Sequence, residues 1–247
     1  MAGAPDAGEI LRGSGPVLVY RPAGGDQTVV KRLADAGDII ALRRFERERR
    51  FARLLRHPSL PRLLAEGDDW IAFDALEARS LQHRGLDPAA VRAILLALAD
   101  ALAFIHARGI VHRDIKPAHV LFRGATPVLI DFGIAGTPDD DLQQAELSGT
   151  PAWMAPEQLF GGAVGPAADI WSFSALGLFL LTGEKPYAGD ADTVLRLRRA
   201  GEPPAFAMPA TCVRDDPALA GLLKAGLGSA AGRPAAADFV RRLTVRR

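Results

Sequence analysis

The sequence predicts a two-lobed α+β architecture: a small β-rich N-terminal lobe with one helix, then a larger and mainly helical C-terminal lobe. Three observations lead to it. Short β-prone runs separated by turn signals fill residues 9–33 and return at 63–73. A single strongly helical segment, residues 40–56, lies between them. Beyond residue 88 the pattern is almost wholly helical, interrupted by one short strand at 126–130. A chain of 247 residues, 49% of them hydrophobic, is long and apolar enough to bury a substantial core. Residues 1–247 are read as one domain, with 1–73 the small lobe, 74–79 a hinge and 80–247 the large lobe.

The elements follow in order. Val17, Val19 and Thr28-Val29-Val30 favour extended backbone, and Pro22-Ala23-Gly24-Gly25-Asp26 is a turn signal between them. In residues 40–56, Phe45, Phe51, Leu54 and Leu55 are spread among many charges, which predicts one packed face and one solvated face. His57-Pro58 ends that helix, because the residue before proline is pushed out of the α region. Leu63-Leu64 and residues 70–73 read as two further strands, and periodicity is lost over 74–79. Helices are expected at 88–108, 167–181, 193–199, 216–227 and 235–243.

Composition excludes several function classes. A formal net charge of +1 gives no reason to expect binding to nucleic acid or an anionic membrane driven by charge. Cys212 is the only cysteine, which rules out an intramolecular disulfide and a cysteine metal cluster. No apolar run is expected to reach the length of a membrane span, the most hydrophobic stretch being residues 175–181. Residues 1–8 lack the pattern of a secretory signal, so the expected location is cytoplasmic. Lysine is scarce, confined to Lys31, Lys116, Lys185 and Lys224. Arginine serves for most positive charge, and its planar guanidinium is not interchangeable with a compact ammonium.

Three short motifs occur in one order: His112-Arg113-Asp114-Ile115-Lys116, Asp131-Phe132-Gly133 and Ala155-Pro156-Glu157. Together they resemble the catalytic loop, metal-binding turn and substrate-loop anchor of the eukaryotic-type Ser/Thr protein kinases, including their bacterial members. The resemblance runs over about residues 9–242. It implies a bilobal protein-kinase-like fold and ATP-dependent transfer of the γ-phosphoryl group to Ser or Thr of a protein substrate. It makes Asp114 the base that holds the incoming hydroxyl and Lys116 the charge stabiliser, and Asp131 the carboxylate ligand of Mg²⁺. Gly133 is expected to permit the sharp turn behind Asp131. Lys31, closing the Thr28-Val29-Val30 run, would meet the α- and β-phosphates, with Glu48 chosen over Glu46 as its helix partner. Gly13 and Gly15 would cover the nucleotide, although the family's third glycine is absent and Pro16 lacks a backbone donor. Phe73 would guard the back of the pocket, and the backbone of Asp74 to Leu76 would meet adenine. Thr150 would bridge Asp114 and Lys116, Glu157 would pair with Arg233, and Asp169 would hold the catalytic loop.

One position departs from the family pattern: His119 stands where an asparagine would bind the second metal ion. A histidine nitrogen suits Mn²⁺ better than Mg²⁺. Three readings stay open: transfer with one metal and a preference for Mn²⁺, a histidine that orders the loop without touching metal, or a pseudokinase serving as a nucleotide-binding or scaffold module. Retention of Lys31, Asp114, Lys116, Asp131 and Gly133 favours an enzyme. In residues 136–149 only Thr137 and Ser148 could be phosphorylated, and Glu146 is a candidate phosphate substitute facing Arg113, against the default of a solvated acidic loop.

Overall fold

The structure is a computed structural model that describes residues 3–13, 15–25, 27–77, 81, 86–137, 150–205 and 207–245. Two compact units make up the chain. The first comprises Met1–Ala78 with Leu121–Ile134, and the second Arg79–Val120 with Ala135–Arg247.

The first unit is built on a five-stranded antiparallel sheet of order β1-β2-β3-β5-β4. Its strands are β1 (Ala7–Arg12), β2 (Val17–Pro22), β3 (Thr28–Leu33), β4 (Leu63–Glu66) and β5 (Trp70–Asp74). Side chains alternate between its faces, and each face has its own apolar cluster. Tyr20, Val30, Trp70 and Ala72 pack on one side, with Ala4 and Leu18 against them. Leu33 and Ile71 pack on the other with Ala41 and Phe45 of α1 (Ile39–Leu54). Lys31, two residues before Leu33, therefore lies on the helix-bearing face.

Asp38 caps α1 by accepting from the amides of Ile40 and Ala41. Ala41, Phe45, Glu48, Phe51 and Ala52 form its buried stripe. Burial of Phe45 alone is worth about 2 kcal/mol. Two of the helix arginines are tied down: Arg49 bonds Glu46 and the carbonyls of Gly67 and Asp68, and Arg53 bonds Glu66. A hairpin of β6 (Val120–Arg123) and β7 (Thr126–Leu129) completes the unit. Residues 74–77 are more ordered than lost periodicity suggests. Asp74 ends β5, its carboxylate accepting from Arg62 N and Arg123 Nε, and Glu77 pairs with Phe122. Of the hinge 74–79, residues 78 and 79 lie outside the described residues.

The second unit is helical: α2 (Pro88–His106), α3 (Pro156–Leu159), α4 (Pro166–Thr182), α5 (Ala191–Arg199), α6 (Ala210–Asp215), α7 (Pro217–Gly226) and α8 (Ala236–Thr244). Every residue of α4 from Ala168 to Leu181 is buried, as befits a helix packed on all sides. Gly177 admits its neighbours, since a Cβ there would stand 2.6 Å from Leu223 Cδ2 and 2.8 Å from Leu95 Cδ1. The expectation about membrane-length apolar runs needs correction. By length and composition α2, at 19 residues, could cross a bilayer. Arg92 and Asp100 divide its apolar residues, so no single uninterrupted run reveals it. Its stripe of Val91, Leu95, Leu98, Leu102 and Ile105 is buried within the unit, where α4 and α8 pack on it. Helices α3 and α6, four and six residues long, were not foreseen; neither is long enough to display a period.

Candidate functional site

The sequence-predicted residues gather into two constellations, one in each unit. In the first unit Lys31 Nζ forms an ion pair with Glu48 and stands 3.9 Å from Asp131 Oδ1. Glu46, two residues away on α1, bonds Arg49 instead. The alternation of β3 and the buried stripe of α1 bring Lys31 and Glu48 together, and β7 leads into Asp131. Burial alone would lower the Lys31 pKa, but the Glu48 and Asp131 carboxylates raise it, so the ammonium stays charged. Burial raises the pKa of Glu48, and Asp131 adds to that rise, while Lys31 opposes both.

Asp131 takes the strained backbone of this turn. Its φ is 70°, in the left-handed region, whereas Gly133 does not have positive φ. Space rather than φ bears on position 133: a Cβ would come 3.2 Å from Asp131 Oδ1, which would have to shift by a few tenths of an ångström, and 3.5 Å from Arg44 Cβ, an ordinary contact. Phe132 is buried against Phe51, with ring centroids 6.2 Å apart.

A hard divalent cation fits this donor set. Two carboxylates face one ammonium, and the Asp131 side chain keeps 33% exposure. Among the described residues no three His, Cys, Asp or Glu gather to hold a metal ion. A hard cation such as Mg²⁺ takes only one or two carboxylates and fills its shell with phosphate oxygens and water.

Gly13 and Gly15 lie exposed between β1 and β2, and Gly15 has φ 98° with open space around it. Ser14 between them is outside the described residues. The carbonyl of Pro16 accepts from the amides of Ala34 and Asp35, which fastens this turn to the end of β3. Phe73 packs on the Phe45 cluster. The Ala75 amide bonds Gln27 O at 2.9 Å, and Leu76 is half-buried beside it.

The second unit holds Asp114, Lys116, His119 and Thr150. Lys116 Nζ donates to Asp114 Oδ2 at 2.8 Å and to Thr150 Oγ1 at 3.0 Å. The bridging group is thus the ammonium, which has three donors, rather than the Thr150 hydroxyl. His119 Nδ1 lies 2.9 Å from the backbone oxygen of Asp114 and 3.4 Å from its Oδ2. A carbonyl can only accept, so Nδ1 carries the proton. The Lys116 and His119 contacts of the Asp114 carboxylate both fall on Oδ2.

Asp169 shapes the loop from beneath. Its carboxylate accepts from the His112 and Arg113 amides, each at 2.8 Å, and lies 2.8 Å from His106 Nε2. Burial works to raise its pKa, but these bonds, with His106 the foremost, lower it overall. They hold Arg113 at φ 70°. Arg113 donates to Thr137 O at 2.5 Å, and its own carbonyl accepts from Gln158 Nε2 at 2.9 Å. Ser148 and Glu146 lie outside the described residues. Arg233 pairs with Glu157 through Nη1 and Nη2, and Nη1 also bonds Ala167 O at 2.9 Å. Sequence reasoning missed His106, Gln158 and Arg198 as supports of these loops. His106 and Arg198 sit near helix ends, where polar residues are commonly solvated, and nothing in their spacing marks them.

Residues 17–215 match the family described as Protein kinase domain. The chain is 34% identical over 205 residues to the probable serine/threonine-protein kinase PkwA of Thermomonospora curvata, covering 78% of this chain and 28% of that protein. It is 34% identical over 219 residues to the serine/threonine-protein kinase PkaA of Streptomyces coelicolor, covering 78% and 40%. Against the serine/threonine-protein kinase PAK 4 of Mus musculus it is 34% identical over 189 residues, covering 73% and 28%. The chain thus spans well under half the length of each of these relatives.

Proposed function

This chain belongs to the protein kinase domain family, and from that membership we propose that it transfers the γ-phosphoryl group of ATP to Ser and Thr hydroxyls of proteins. The observation that carries the proposal is the Asp114 carboxylate, held on Oδ2 by Lys116. That carboxylate takes the hydroxyl proton as the acceptor oxygen bonds to the γ-phosphorus, and ADP leaves with the bridging oxygen and its electron pair. Lys116, fixed between Asp114 and Thr150, offsets charge on the moving phosphoryl group. Lys31, kept cationic by Glu48 and Asp131, binds phosphate oxygens of the nucleotide. Asp131 would hold Mg²⁺, which supplies neutralisation of phosphate charge. The Gly13–Gly15 turn would lie over the nucleotide, and the Asp74–Leu76 backbone would meet adenine.

His119 is assigned to loop order. Its Nδ1–H reaches the Asp114 carbonyl, fixing the catalytic turn and the ring tautomer together. In neutral imidazole the lone pair then lies on Nε2, an atom that suits Mn²⁺ better than Mg²⁺. The same residue is the one observation favouring a pseudokinase, because it replaces the oxygen ligand of a second metal. Incubation with γ-labelled ATP, a generic basic protein and a panel of small alcohols, followed by mass spectrometry of the products, tests the proposal. Phosphoserine or phosphothreonine in protein is expected. A labelled small molecule with unlabelled protein would instead indicate a metabolite kinase.

A further inference from the structure

Arg198, near the C-terminal end of α5, is a cation in an unusual place. The residue is 5% exposed and has no carboxylate bonded to it among the described residues. Its guanidinium lies 4.9 Å from the Trp171 ring centroid and 4.7 Å from that of Tyr187, both buried. Nη1 donates to Met154 O at 2.8 Å and Pro151 O at 3.4 Å, and buried Nη2 has no hydrogen-bond partner among the described residues. Burial of a guanidinium on these terms costs stability, offset in part by the two aromatic faces. A methionine of similar length would fill the same space without that cost. What arginine adds is donors, and they go to two backbone carbonyls.

Those carbonyls bracket the turn that begins at Thr150. Trp153 N donates to Thr150 O at 2.8 Å, and Trp153 O accepts from Ser172 Oγ at 2.6 Å. Thr150 in turn accepts from Lys116, which is bonded to Asp114. A continuous series of bonds therefore runs from α5 through residues 151–154 to the proposed base. We propose that Arg198 is a positioning residue for binding of the protein substrate: by holding Pro151 O and Met154 O it sets the Thr150–Met154 turn, and through Thr150 and Lys116 the place at Asp114 where the acceptor hydroxyl comes. The inference rests on the kinase reading above. Among the described residues Arg198 bonds none of Asp114, Lys116 and Thr150; it acts through the turn.

Arg198→Met and Arg198→Lys separate this role from packing. Methionine keeps the apolar fill and removes every donor, while lysine keeps a cation that can reach one carbonyl. Steady-state kinetics with a Ser-containing peptide should show the peptide KM of Arg198→Met raised about tenfold, with KM for ATP moved less than about twofold. Arg198→Lys should recover most of that loss. Amide exchange at Trp153 should be faster in Arg198→Met than in the wild type. An unmoved peptide KM in an active, folded Arg198→Met protein overturns the role of Arg198 alone. Parallel rises in both KM values, tracking lowered thermal stability in both variants, show a purely structural residue and also overturn it. A wild type that transfers phosphate to no acceptor overturns the kinase reading and the substrate role with it, and unchanged exchange at Trp153 shows that Arg198 does not hold the turn.

Discussion

Arg113 and Asp131 both have φ of 70°, a region that non-glycine residues seldom occupy and that costs about 1–3 kcal/mol each. Both belong to the two constellations, and the Asp169 carboxylate over-determines the first of them. The Lys31–Glu48 pair carries the sharpest prediction at this scale. Lys31→Met leaves Glu48 buried beside Asp131 without its cation, and should lower stability by about 2 kcal/mol. That lies below the loss for a fully buried pair because the Lys31 side chain keeps 21% exposure. The double variant with Glu48→Gln should regain most of that stability in chemical denaturation while transfer stays about a hundredfold or more reduced. If Lys31→Met is as stable as the wild type, the ion pair does not order this unit. His119→Asn keeps a donor for the Asp114 carbonyl and supplies an oxygen ligand. Its ratio of Mg²⁺-supported to Mn²⁺-supported rate should rise several-fold above that of the wild type. An unchanged ratio would mean that residue 119 does not set metal preference.

At the scale of elements, α4 acts as the keel of the second unit, and buried Asp169 is where its first turn meets the His112–Asp114 loop. The lowered pKa of Asp169 gives this contact a pH signature. Its stabilisation is full above the ordinary carboxylate value of about 3.9 and is lost as pH falls from there through the depressed folded value. Asp169→Asn places an amide where a carboxylate accepted two backbone N–H groups, and should cost about 2 kcal/mol at neutral pH. Its stability, followed by denaturant titration from pH 6 downward, should lack the part of the acid loss that Asp169 contributes. Parallel curves for wild type and variant would contradict the assignment. Much at this scale was legible in the sequence. The β-prone runs marked β2, β3 and β5 through their β-branched and aromatic residues, and α1 through its apolar stripe. The motif residues were legible through fixed spacing. Arg198 and His106 were not, because their partners lie 44 and 63 residues away in the chain and a buried arginine reads as a solvated one. The bridging role of Lys116 likewise depends on where its ammonium sits, which spacing leaves open.

For the whole molecule, the sequence suggested a small lobe ending near residue 73, while the compact units assign Leu121–Ile134, with Asp131, to the same body as β1–β5. That hairpin joins the first unit through contacts distant in sequence, Glu77 with Phe122 and Asp74 with Arg123, which no local pattern announces. The apolar helix α2 is a second global feature that run-counting missed, and its buried stripe places it in a protein core. The chain should therefore remain unbound when floated with liposomes of neutral or anionic lipid; recovery in the lipid fraction would show α2 meeting the bilayer. The most direct test of the central claim is the rate of γ-phosphate transfer to a Ser-containing protein, measured with Mg²⁺ and with Mn²⁺ for the wild type and for Asp114→Ala. Transfer by the wild type, reduced about a hundredfold or more in Asp114→Ala with either metal, is the predicted result. A folded wild type that binds nucleotide yet transfers nothing with either metal would contradict it and make the chain a pseudokinase.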